Sequence, residues 1–277
     1  MNFLYAYEIT LKIKETASVY VQILDTDYKC PSEIYINDNN TSLSDCRQIN
    51  VAQYSPIDKI KLVWNKTPES CSSMFLSCRD ITEMDLTNFD TSLVTNMACM
   101  FQDCNSLTSV NLSNLDTRNV TSIYGIFQGC SSLTSIDLSN FNTSKINDMR
   151  YLFDGCTKLQ YINLLNFVET SSLSIDSDMF DDIPKNSVIC IKKEKAPRIA
   201  NLLTNYNISC DFQKKTETIN CNLNGYKYEY EGKCYNICLE NTIPYNNECK
   251  PKTDFCNTDC INSQCIYEIK RCKITDI

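Results

Sequence analysis

Eighteen cysteines, no histidine and a scattering of carboxylates are what this 277-residue sequence offers to chemistry. Without imidazole there is no Ser-His-Asp or Cys-His nucleophile, and no His-ligated zinc or iron. Carboxylate, Lys and Tyr chemistry remain, together with the thiols. Asp85 and Asp137 are the carboxylates best placed to act as a hydrolytic pair, because both occupy the same position of a recurring pattern. That pattern sets them two strands apart, ~9.6 Å, on an open surface, whereas paired-carboxylate hydrolysis needs tighter spacing or a cleft that excludes water. The acidic run "DSDMFDDI" (Asp176, Asp178, Asp181, Asp182) lacks the Gly and the closing Glu of a calcium loop. Cys256, Cys260, Cys265 and Cys272 could hold zinc by count, but their spacing is irregular. No catalytic residue, metal or cofactor is expected.

Composition narrows the setting. A net charge of −8 argues against a nucleic-acid partner, which calls for a basic face. No stretch reaches the ~20 apolar residues that a membrane-spanning helix needs. So many cysteines are a liability in a reducing cytosol and a set of staples in an oxidising compartment, so an extracellular or cell-surface location is expected. The opening "MNFLYAY" is apolar but short for a secretion signal. Seven Asn-x-Ser/Thr sequons, at Asn39, Asn40, Asn65, Asn111, Asn119, Asn142 and Asn207, matter only if a eukaryote secretes the chain.

The elements that carry these groups repeat. Cys78, Cys104, Cys130 and Cys156 are each 26 residues apart, and Phe75, Phe101, Phe127 and Phe153 precede them in the same register. Asn88, Asn114, Asn140 and Asn166 follow at the same interval. Within one unit, "LTSIDL" alternates apolar and polar residues as a half-buried strand does. In "KINDMRYLFDGC" the apolar residues Ile146, Met149, Leu152 and Phe153 have helical spacing. Neither element can bury its apolar side alone, but stacked units can, by sharing a continuous core. The stretch from Ile57 to Cys78 reads as a shortened first coil, and "VETSSLSIDSDMF" as a terminal one with an extra residue.

The recurring motif "LTSxxLSNxxT…M-x-x-x-F-x-x-C" resembles the 26-residue leucine-rich-type repeat of BspA-like surface proteins. That resemblance implies an α/β, leucine-rich-repeat-like solenoid, a parallel sheet plus short helices, on secreted or surface proteins acting in adhesion or recognition. It brings no catalytic residues. The expected order is an N-terminal β cap (1–56), the repeats (57–182), a strand-helix-strand C-terminal cap (183–215) and a small disulfide-rich module (216–277). A surface receptor ectodomain is the alternative.

Each ladder has a structural reading and a sharper one. The cysteines of the repeat are expected to pack as small buried residues rather than to bind metal or pair as disulfides. The Asn ladder is expected to satisfy backbone groups at turns. The exposed strand face is the candidate ligand surface, for protein or glycan. Its residues are Glu83, Asp85, Asn111, Asp137, Tyr161 and Asn163, with Asp and Asn alternating so that like charges do not oppose one another. Cys30 with Cys46, and Cys190 with Cys210, are placed to staple the two caps. Eight further cysteines, at 221, 234, 238, 249, 256, 260, 265 and 272, would hold a module too small for much core. The segment "GKCYNICLENTIPYNNEC" is similar to growth-factor-receptor-like cysteine-rich repeats, with Leu239 and Asn241 where that family usually has Pro and Gly.

Overall fold

The computed structural model describes residues 7–16, 18–208 and 210, and the backbone of short strands at 228–230, 233–235, 242–245 and 248–251. The chain divides into two compact units, Met1–Cys210 and Asp211–Ile277.

The first unit is a β-solenoid of about four turns. Its coils contribute β7 (Ile81–Asp85), β8 (Ser109–Asn111), β9 (Ser135–Asp137) and β10 (Tyr161–Leu164), followed by β11 (Val188–Ile191) and β12 (Asn207–Ile208). β7 pairs in parallel with β8, and β9 through β12 pair in parallel in chain order. Register keeps like on like: Met84 faces Val110, and Ile136, Ile162, Ile189 and Ile208 line up across four strands. A second row of bridges joins Ser70, Asn96, Ser122, Asp148 and Ser174.

The segment with helical spacing is not a helix. Its apolar residues do point inward: Ile146, Met149, Leu152 and Phe153 are fully buried. The backbone takes another course. Every second N–H bonds to a carbonyl of the following coil, as in Cys99 to Tyr124 (2.8 Å), Phe101 to Ile126 (3.0 Å) and Asp103 to Gln128 (2.8 Å). The N–H groups between them close tight turns three residues back, as in Met100 to Met97 (3.3 Å) and Cys104 to Phe101 (3.2 Å). A helix would keep all these donors inside the segment. Coil-to-coil pairing takes half of them, and left-handed residues make the alternation possible. Ser73, Cys99, Gly125 and Tyr151 occupy one such row, with φ of 57°, 56°, 54° and 56°. Ser77, Asp103, Gly129 and Gly155 occupy another, with φ of 58°, 58°, 72° and 73°. The short helices expected within the repeats are therefore tandem turns.

The Phe residues form one stack. Ring centroids from Phe75 to Phe101, Phe127 and Phe153 lie 5.9, 5.4 and 6.0 Å apart, with interplanar angles of 4°, 9° and 5°. Phe180 adds a fifth ring at 5.8 Å. It stands 27 residues after Phe153, so the extra residue of the last coil is absorbed without breaking the row. Met74, Met100, Ile126, Leu152 and Met179 are buried in the equivalent places one residue earlier.

At the N-terminal end, β1 (Tyr7–Ile13), β2 (Tyr20–Gln22), β3 (Glu33–Ile36), β4 (Asn39–Asn40), β5 (Gln48–Asn50) and β6 (Ile60–Trp64) precede the coils. The larger sheet runs in the order β4-β3-β6-β1-β7-β8. β1 is antiparallel to both β6 and β7, so it separates the strand of the shortened first coil from the strand after it. The turn side of that first coil nevertheless stacks directly on the next, through Ser70–Asn96 and Phe75–Phe101. β2 and β5 pair separately.

Two disulfides close the unit, Cys30–Cys46 and Cys190–Cys210. Between β11 and β12 lies the helix α1 (Pro197–Leu202), started by Pro197 at its first turn, where a missing N–H costs nothing. In the second unit, β13 (Tyr228–Tyr230), β14 (Lys233–Tyr235), β15 (Thr242–Tyr245) and β16 (Glu248–Pro251) form a sheet in the order β14-β13-β16-β15. Cys234 and Cys249 lie on β14 and β16. Cys221, Cys238, Cys256, Cys260, Cys265 and Cys272 lie outside the described residues.

Candidate functional site

The strand face selected from the sequence is built from the ends of β7 to β10. Asp85, Asn111 and Asp137 are exposed, and Glu83 is half-buried and paired with Lys12 at 2.7 Å. Tyr161 is half-buried and Asn163 is buried, which takes both away from an open contact surface. Ile162 and Leu164 anchor β10 in the core, and β9 and β11 flank it on both edges.

All four members of the central row do one local job. The Oδ1 atoms of Asp85, Asn111, Asp137 and Asn163 accept the N–H two residues on, at 3.0, 3.2, 2.9 and 3.1 Å. This is the Asx turn that ends each strand. It needs one acceptor oxygen, which Asp and Asn supply equally well, and so either residue satisfies the position. Charge separation, the reason inferred from the sequence, is a by-product of that tolerance.

The Asn ladder works differently. Asn114 Nδ2 donates to the Thr87 carbonyl (2.9 Å), Asn140 Nδ2 to Leu112 and Ser113 (2.8 and 3.2 Å) and Asn166 Nδ2 to Ser139 (2.7 Å). Each reaches one coil back, and each needs a donor, so Asp would not serve. Asn88 has no repeat coil behind its strand, and its carbonyl instead accepts the Glu8 N–H of β1 (3.2 Å).

A third row went unassigned in the sequence although it belongs to the motif. Thr91, Thr117 and Thr143 are buried. Each hydroxyl accepts an N–H of the next coil, from Asp116 (2.8 Å), Asn142 (2.7 Å) and Val168 (2.8 Å). Each donates back to the carbonyl of that same residue, at 3.0, 3.3 and 2.9 Å. The signal was the invariant Thr spacing of 26.

The thiols of Cys104, Cys130 and Cys156 point along the solenoid axis and donate to the carbonyls of Phe75, Phe101 and Phe127, each at 3.1 Å. Burial pushes the thiol of Cys156 up to about 12 and raises those of Cys78, Cys104 and Cys130 as well. Cys71 is likewise raised by burial to about 12. All are protonated, and Cys104, Cys130 and Cys156 are hydrogen-bond donors. No group of three or more Cys, Asp or Glu among the described residues is arranged to hold a metal ion. No helix among them is long and apolar enough to cross a membrane.

Most polar positions that recur through the coils thus brace one coil against another or against its own turn. Lys12, Asp85, Ser109, Asn111, Ser135 and Asp137 stay exposed on the strands. No curated protein and no solved structure matches the chain. Residues 69–190, which span the four coils, match the sequence model of a family described as "Mycoplasma protein of unknown function, DUF285".

Proposed function

We propose that the protein is a non-enzymatic, secreted or surface-displayed recognition or adhesion protein, in which the solenoid holds a flat polar face toward a macromolecular partner. The observation that supports this most is the fixed register of the exposed sheet residues, each held at its coil by an Asx turn and a backbone ladder. A preorganised face with no cleft suits a protein surface better than a small substrate, because little ordering entropy is lost on contact. The two disulfides support an oxidising compartment. The second unit, with eight cysteines in its segment, would act as a disulfide-held spacer.

The test is an array of immobilised extracellular-matrix proteins probed with the full chain. The comparison is a triple variant, Glu83→Gln, Asp85→Asn and Asp137→Asn, which removes three charges and keeps every turn acceptor. At least a tenfold weaker signal is expected on the proteins that bind. Equal binding by both would move the partner off this face. Turnover on a glycoside panel that Asp137→Asn abolishes would overturn the non-enzymatic reading.

A further inference from the structure

The coils differ from one another on the tandem-turn side, just ahead of the Phe stack. One register row there reads Ser72, Ala98, Tyr124, Arg150, Asp176, and the left-handed row beside it reads Ser73, Cys99, Gly125, Tyr151. Small residues in the first two coils give way to Tyr124 in the third and to Arg150 and Tyr151 in the fourth. The Tyr124 and Tyr151 rings meet edge to face at 5.5 Å and 68°, and both are half-exposed. The Arg150 guanidinium lies 5.3 Å from the centre of the Tyr124 ring and is held there by both Asp148 oxygens, at 2.9 and 2.7 Å.

The backbone ladder also breaks here. In earlier coils the left-handed residue donates to the carbonyl 25 positions on: Ser73 to Ala98 (2.9 Å), Cys99 to Tyr124 (2.8 Å), Gly125 to Arg150 (2.8 Å). Tyr151 instead donates to the side chain of Asp176, at 3.3 Å to Oδ1. The other oxygen of that carboxylate, Oδ2, is buried with no partner among the described residues. Burial, opposing the Tyr151 hydrogen bond, raises the Asp176 carboxyl above the ordinary range.

We propose that Tyr124, Arg150, Tyr151 and Asp176 form a shelf that binds a short saccharide of one or two rings. The shelf spans about two coil spacings, ~10 Å. Its chemistry is mixed in the way a sugar is mixed. Two ring surfaces can stack on C–H faces, and the ring hydroxyls and Arg150 Nη1 donate. Asp176 fixes the Tyr151 backbone through Oδ1, and because its Oδ2 is buried it positions the shelf and does not touch the sugar. A cationic ligand fits less well, because Arg150 already fills the place over Tyr124. This surface is distinct from the strand face and stands or falls separately.

The repeat supplies its own variants. Tyr124→Ala and Arg150→Ala copy Ala98 from the same row, and Tyr151→Gly copies Gly125. The full chain is screened on an array of glucose-, galactose-, N-acetylglucosamine- and sialic-acid-terminated glycans, and the strongest binders are titrated by calorimetry. Tyr124→Ala/Tyr151→Gly, and separately Arg150→Ala, should each weaken that affinity at least tenfold with an unchanged melting temperature. The strand-face triple variant should stay within twofold of the parent. The shelf is refuted if no glycan binds, or if Arg150→Ala retains full affinity. It is equally refuted if a Lys-rich peptide, and no glycan, shows binding that the double variant abolishes.

Discussion

At Asp137 and Asn140, three residues apart, opposite requirements meet. Asp137 gives an acceptor to its own turn, whereas Asn140 gives a donor to two carbonyls of the coil before. Asp137→Asn should therefore leave the urea midpoint almost unchanged. Asn140→Asp removes two hydrogen bonds and sets a carboxylate against two carbonyl oxygens, a loss of about 1–3 kcal/mol in the same measurement. The buried thiols make a pH prediction. Below the ordinary thiol value of 9.0 they are protonated in both folded and unfolded chain. Above it the unfolded chain ionises while Cys71 and Cys156 resist until about 12, so stability falls across that window, by roughly 1.4 kcal/mol per pH unit for each such thiol. Thermal melts from pH 7 to 10.5 would check the sign. Among the described free cysteines, only Cys99 is not buried. It should react first with a thiol reagent, as peptide mass spectrometry would show.

At the scale of the coil, the Phe row is the main stabilising device. Phe127 is stacked on both sides, so Phe127→Ala should cost about 3–5 kcal/mol, measured by denaturant unfolding. Gly129→Ala should also destabilise, because its φ is +72° and an added methyl would run into the Asp103 carboxylate. This scale also shows what the sequence could and could not reveal. The 26-residue register and the inward set of each coil were legible, because burial recurs at fixed intervals. The backbone of the Phe segment was not, since apolar residues three and four apart suit a helix and a run of tight turns alike. Gly125, Gly129 and Gly155 carried the missing hint, but Ser, Cys, Asp and Tyr stand at the same left-handed positions in other coils and hide it. On the candidate face, Asp85, Asn111 and Asp137 were placed where expected. Tyr161 is half-buried and Asn163 is buried, a depth that alternation along the strand does not reveal.

At the scale of the unit, the two ends differ from the middle and from each other. The insertion of β1 between β6 and β7 joins residues from 49 (Leu11 and Ile60) to 75 (Thr10 and Asp85) apart in sequence, which no periodicity announces. The C-terminal end is closed by β12, only two residues long, and by the Cys190–Cys210 bond around a separation of 20 residues. Removing that bond with Cys190→Ala/Cys210→Ala should cost about 3 kcal/mol. In hydrogen exchange, β11 and β12 should then lose protection before β8 and β9, as nearest-neighbour coupling requires.

Because β1 to β6 lie before the repeated coils and β11 and β12 after them, neither group depends on how many coils lie between. Within the stretch 131–156, Phe153 stacks on Phe127 on one side and on Phe180 on the other, and β9 pairs onward with β10. A second copy inserted after Cys156 would find the same pairings above and below it. The resulting chain should fold with one more aromatic rung and a longer outer face, making the length of the molecule a quantity that gene duplication can set in 26-residue steps.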